Sequence, residues 1–179
     1  MKLGTFPAVI TGFYILIKFT SVIAYIKFTN VKCVNYDKSF LEIRQCELKA
    51  LARNKVAFFL NIHFLQLPIN NISGNLDVYR KANGYRPFLF NYTTDFCQFM
   101  KNKKRIPFGK MLMNVFQLYS NVNHTCPYNH DFIIKNFVLE TEHLQSLPVP
   151  TGEYLMRFLV EFYNVLKYKV ETYIQIVEE

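Results

Sequence analysis

The chain has 179 residues, with 21 basic and 13 acidic side chains and a formal net charge of +8. Such a length allows one domain with a substantial hydrophobic core. The positive charge favours anionic partners such as lipid, glycosaminoglycan or an acidic receptor face. No nucleic-acid-binding motif accompanies this charge, and we therefore expect no nucleic-acid partner.

The first 24 residues predict a secretory signal peptide. Lys2 precedes an apolar run over residues 6–17, and small side chains lie before a plausible cleavage point after Ala24. Lys18 interrupts the apolar run, which is then short for a stable membrane span. We expect a secreted, extracellular protein whose mature part, residues 25–179, forms a single domain.

The cysteines and glycosylation motifs agree with export. An even number of cysteines in an oxidising compartment predicts two disulfides, for which three connectivities are open. The four cysteines are Cys33, Cys46, Cys97 and Cys126. Three N-glycosylation motifs are present, and their acceptor residues are Asn71, Asn91 and Asn123.

Most of the mature part alternates apolar and polar residues with the period of half-buried strands. Turn residues such as Asp37–Ser39 and Asn83-Gly84 separate the alternating segments, and Pro68 ends one of them. Seven or eight short strands are predicted, within residues 26–36, 40–51, 56–67, 74–81, 85–92, 131–140, 152–163 and 168–178. Such a series is typical of an antiparallel β-sandwich.

Residues 95–119 carry helical spacing instead and predict a short helical insertion. Asp95 is suited to cap the first helix, since its carboxylate can accept the free N–H groups of the first turn. The basic run at residues 101–105 lies where a helix C-terminus favours positive charge. This run could also bind lipid head groups or heparin-like chains, but we rank a solvated helix end above that interpretation.

Residues 124–131 contain the candidates for a catalytic or metal-binding site. Cys126 with His130 and Asp131 could form a thiol nucleophile and its base, and His124 with Cys126 and His130 could bind a metal. A cysteine in an exported chain with an even cysteine count is more often half of a disulfide. We therefore expect no enzyme, no cofactor and no metal.

Several motifs together resemble a known family. They are FTNVKC (28–33), NGYRPFLFNYTTDFC (83–97), YSNVNHTCPYNHD (119–131) and LPVPTGEY (147–154). The combination is similar to an insect secreted family, catalogued as a domain of unknown function and placed in the ML lipid-recognition superfamily, with chemosensory members of the CheB type.

This resemblance implies an immunoglobulin-like β-sandwich whose two sheets part to admit a hydrophobic ligand. It also implies the disulfide pairs Cys33–Cys46 and Cys97–Cys126. A hairpin turning at Asp37–Ser39 agrees with the first pair, because it would bring the two cysteines opposite each other.

The sequence therefore predicts a secreted glycoprotein that binds a small hydrophobic molecule or lipid between two sheets, with a role in chemosensation implied by the resemblance. The alternative is an extracellular protein with a filled core that acts through its surface on a cell-surface receptor. The alternating pattern leaves open which face of each strand points inward. The candidate lining residues are Phe58, Leu60, Ile62, Phe64, Leu76, Val78, Phe88, Phe90, Ile134, Val138, Phe158 and Val160.

Overall fold

The computed structural model describes residues 24–144 and 149–178, so the predicted signal peptide, apart from Ala24, lies outside the described residues. The strands are β1 (Ala24–Asn35), β2 (Leu41–Ala52), β3 (Lys55–Phe64), β4 (Ile72–Ala82), β5 (Gly84–Asp95), β6 (Phe132–Val138), β7 (Gly152–Phe162) and β8 (Val165–Glu178). The helices are α1 (Phe96–Lys101) and α2 (Pro107–Phe116), with 3₁₀ turns at Lys103–Arg105 and Thr141–Leu144. No helix among the described residues is long and apolar enough to cross a membrane.

The strands form two antiparallel sheets of unequal width. The larger has the order β1-β8-β7-β4-β5 and the smaller the order β2-β3-β6. The predicted all-β sandwich is confirmed, and the predicted helical insertion lies between β5 and β6. Helix α1 contacts β4 and β5, at one edge of the larger sheet.

The core lies between the sheets and is rich in aromatic rings. On β3, Phe58, Leu60, Ile62 and Phe64 are all buried, while the alternating residues Phe59, Asn61 and His63 are half-buried. This burial follows the period-two pattern of the sequence. Aromatic contacts join the layers, with ring centroids 5.9 Å apart in Phe28–Phe58, 5.2 Å in Phe40–Phe162 and 5.5 Å in Phe64–Phe162.

Cys33 and Cys46 form a disulfide, but the expected hairpin between their strands is wrong. β1 pairs with β8 and β2 pairs with β3, so residues 36–40 carry the chain from one sheet to the other. Two alternating segments joined by a tight turn have the same sequence pattern in a hairpin and in such a crossing. The disulfide therefore links the two sheets, and closing a loop of this length stabilises by about 3 kcal/mol.

Asp37 organises the crossing between the sheets. Its Oδ1 accepts hydrogen bonds from the Ser39 amide at 3.0 Å and the Ser39 hydroxyl at 2.6 Å. Its Oδ2 lies 2.6 Å from Lys167 Nζ, on β8 of the larger sheet. The hydrogen bond from Lys167, supported by those from Ser39, lowers the pKa of Asp37 from 3.8 to about 2.

We expect Asp37→Asn to lower the midpoint of thermal unfolding at pH 7, because the ion pair with Lys167 is lost. A carboxyl with a depressed pKa stabilises the fold above its ordinary pKa, and this contribution disappears as the pH falls through the folded-state value. The difference between wild type and variant should therefore close between about pH 4 and pH 2. Thermal unfolding followed by circular dichroism over this pH range measures the difference in unfolding midpoint, with Glu142→Gln as an exposed control. A difference in midpoint at pH 2 as large as at pH 7 would contradict the prediction.

Candidate ligand site between the sheets

Three apolar side chains of β7 face the interior but are only half-buried. They are Met156, Phe158 and Val160. Phe158 lies opposite Leu76 on β4 and Val170 on β8, which are only 7% and 4% exposed. Directly opposite residues share a face of the sheet, so the β7 residues point into the sandwich. All three pack against the buried core, and each keeps part of its apolar surface accessible.

Gly74 lies at one end of this row of inward-facing residues. It is opposite Val160, and strand alternation places its missing side chain on the same face as Leu76. A Cβ atom built on Gly74 would meet no atom within 4 Å. The inner face of β4 and β7 is therefore open at this position rather than close-packed.

Phe88 and Tyr154 bound the other end, with ring centroids 5.6 Å apart. The Tyr154 hydroxyl donates to the Pro150 carbonyl at 2.5 Å, and burial raises the pKa of Tyr154. The Arg80 guanidinium lies 5.8 Å from the centroid of the Phe88 ring. We refer to Gly74, Phe88, Met156, Phe158 and Val160 together as the inter-sheet site.

The twelve predicted lining residues separate into distinct groups. Eight are buried, namely Phe58, Leu60, Ile62, Phe64, Leu76, Val78, Ile134 and Val138. Phe88, Phe158 and Val160 are half-buried and belong to the inter-sheet site, whereas the side chain of Phe90 lies outside what the structure describes. Met156 was missed, although it continues the alternation of Phe158 and Val160.

Val138 does not share the face of Phe58. The register between β3 and β6 shifts so that Phe58 lies opposite Phe137, and Val138 lies opposite Ala57. Asn136, with φ of 55°, lies in the extra length of β6 at this shift. Phe137 therefore takes the inward place predicted for Val138, and its ring contacts that of Phe28 at 5.6 Å. A bulge of this kind reverses the alternation and leaves no clear mark in the hydrophobic pattern.

The helical insertion packs against the same core. Asp95 caps α1 as predicted, since its Oδ1 accepts from the Gln98 amide at 2.9 Å. Phe99, Met100 and Met113 are buried in the central cluster. Three of the five methionines of the chain lie in this insertion, at positions 100, 111 and 113. Methionine adapts its shape to irregular space, so this cover is deformable compared with a facing strand.

The structure brings the candidates His124 and His130 together, but Cys126 offers them no free thiol. Cys126 is bonded to Cys97, which ties α1 to the loop before β6. His130 Nε2 lies 2.9 Å from His124 Nε2, while the Asp131 carboxylate accepts from His63 Nδ1 at 2.8 Å. The buried Tyr128 hydroxyl, whose pKa burial raises to about 12, donates to the His124 carbonyl. This network orders the loop that carries the second disulfide.

The remaining predicted features lie on the surface. The three glycosylation-motif residues Asn71, Asn91 and Asn123 are exposed. The basic run at residues 101–105 spans the end of α1 and the first 3₁₀ turn, and its side chains make no ion pair with any described residue. A surface groove of about 400 Å³ lies between α2 and the Thr141–Leu144 turn and contains none of the twelve predicted lining residues.

The middle of the chain matches a known protein family. The profile of a family described as "Protein of unknown function (DUF1091)" matches residues 74–156, slightly less than half of the chain. The chain is thus similar to this family from β4, through β5, the insertion and β6, to the middle of β7. The matched segment includes three residues of the inter-sheet site, Gly74, Phe88 and Met156, while Phe158 and Val160 lie just beyond its end. No curated protein matches the chain.

The packing of α2 on α1 can be tested at Gly109. A Cβ atom there would lie 3.0 Å from Phe99 Cε2 and 3.1 Å from Ile106 Cγ2. We expect Gly109→Val to destabilise the protein by about 1–3 kcal/mol through overpacking. Asn114→Val, at an exposed position of the same helix, should change stability by no more than ~0.5 kcal/mol. Urea unfolding of both variants measures the difference, and equal effects would show that α2 does not pack closely on Phe99.

Proposed function

We propose that the protein is an exported carrier that binds a small hydrophobic or lipid-like ligand in the inter-sheet site. The observation that carries this proposal is the open inner face of β7, where Phe158 and Val160 are inward-facing, apolar and only half-buried. Removing the apolar surface of a ligand from water there would supply binding free energy of roughly 25 cal/mol per Å². Such binding needs few polar partners.

The two disulfides and the surface position of the glycosylation motifs support export. Disulfides persist mainly in secreted and other oxidising environments. The resemblance of the motifs at residues 83–97 and 126–131 to ML lipid-recognition and CheB-type chemosensory proteins supports a carrier as well, and it adds chemosensation as the proposed biological setting.

The surface-acting alternative is favoured by one observation. Residues 96–130 contain no acidic residue but include the basic run at 101–105 and Lys110. A segment of one charge sign favours an acidic partner face. In this alternative the interior is filled and the insertion is the contact surface.

Uptake of an apolar fluorescent probe distinguishes the two proposals. After organic extraction, the wild-type protein should bind the probe, and oleate should displace it. Gly74→Phe places a ring in the open space beside Val160, so we expect it to weaken probe binding by about tenfold or more. Leu159→Phe adds bulk to the opposite face of the same sheet region and should leave binding unchanged.

Thermal unfolding establishes that both variants are folded before binding is compared. Wild-type protein that takes up no probe, or Gly74→Phe that binds as tightly as wild type, would contradict the carrier. The first of these results, together with retained binding to cells, would favour the surface-acting alternative.

A further inference from the structure

Two arginines lie opposite each other at the Phe88 end of the inter-sheet site. Arg80 of β4 is the direct register partner of Arg86 of β5, so their side chains leave the same face of the sheet. Like charges in this arrangement repel each other. Two cations side by side are therefore a cost to the fold unless an anion lies between or beside them.

Neither arginine has a carboxylate partner among the described residues. Arg80 Nη2 donates to the Thr151 carbonyl at 3.1 Å, and its guanidinium stacks near Phe88. Arg86 is exposed and makes no ion pair in the described part of the chain. By contrast the neighbouring Lys81, on the outer face, is paired with Glu153 at 2.8 Å. The inner face thus carries two uncompensated positive charges.

The alternation of β4 connects these charges to the apolar residues. Gly74, Leu76, Val78 and Arg80 succeed one another on the inner face of the strand, and each has its partner on β7. The distance from Gly74 to Arg80 along the strand is about 20 Å, since a strand rises roughly 3.3 Å per residue. An apolar row of this length that ends in a cationic pair matches a single acyl chain with an anionic head group.

Resting on the proposed carrier function, we propose that Arg80 and Arg86 bind the anionic head group of a single-chain amphipathic ligand. The head group is a carboxylate or another small anion that a guanidinium recognises with paired N–H donors. The acyl chain lies along the inter-sheet site toward Gly74. The arginines then set the ligand's orientation and its class, while the apolar row supplies most of the affinity.

Competition with two ligands that differ only in the head group tests this proposal. Extracted wild-type protein is loaded with the apolar probe, which is displaced by oleate or by oleyl alcohol below their aggregation concentrations. We expect oleate to displace the probe at a concentration about tenfold or more below that of oleyl alcohol, and added salt to reduce the difference. Inorganic phosphate, which has no tail, should not displace the probe.

In the double variant Arg80→Gln/Arg86→Gln, the preference for oleate should vanish while oleyl alcohol binds as before. The matched control Lys38→Gln/Arg53→Gln removes two exposed charges that make no ion pair among the described residues, and it should keep the preference. Arg86→Gln alone, at an exposed position, provides the test if the double variant does not fold, and it should reduce the preference at least about threefold.

The outcomes separate this inference from the carrier proposal. If oleate and oleyl alcohol compete equally in wild type, the carrier stands and the head-group site is overturned. The head-group site is also overturned if the preference for oleate survives loss of both arginines, or if it disappears equally in the control variant. Displacement of the probe by inorganic phosphate would overturn it as well. If neither ligand nor probe binds, the carrier proposal itself fails.

Discussion

The unequal width of the two sheets determines the rest of this structure. A sandwich buries the inner face of each sheet against the other, but here five strands face three. The inner face near β4 and β5 therefore needs a different cover. Helix α1 reaches these strands, and α2 extends the cover toward β6 through the ring contact of Phe116 with Phe132 at 6.0 Å.

Covalent links hold this arrangement at two points. The Cys33–Cys46 disulfide joins the sheets where the chain crosses between them, and the Cys97–Cys126 disulfide joins the insertion to the loop before β6. Both constrain the edges of the sandwich rather than its centre. The frame around the half-buried residues of β7 is thereby fixed, and a largely preformed frame is what a carrier of an apolar ligand requires.

The sequence predicts local features of this molecule well. The alternation around Phe58 and Leu60 indicates the buried face of β3, and Asp95 followed by helical spacing indicates the start of α1, because both signals depend on neighbours in the chain. At residues 36–40 the local pattern predicts a hairpin, but β1 pairs with β8 and β2 with β3, because strand pairing depends on segments that are distant in the chain. The bulge at Asn136 reverses the alternation of β6, and the pattern of apolar and polar residues in the sequence does not reveal it.

The site itself is less predictable. Phe58 and Phe158 both lie at apolar positions of alternating segments, yet Phe58 is buried and Phe158 is half-buried. The difference depends on what packs against each strand from the other layer, which no local pattern encodes. The pairing of Arg80 with Arg86 was hidden for a similar reason, because the register of β4 and β5 contains an irregularity between Asp77 and Tyr79.

Native mass spectrometry shows whether an apolar ligand is bound at the inner face of β7. The protein would be secreted from an insect cell line, deglycosylated enzymatically and measured before and after extraction with organic solvent. We expect an additional mass before extraction that the solvent removes and that is recovered in the organic phase. A mass equal to the bare chain with two disulfides both before and after extraction would contradict it.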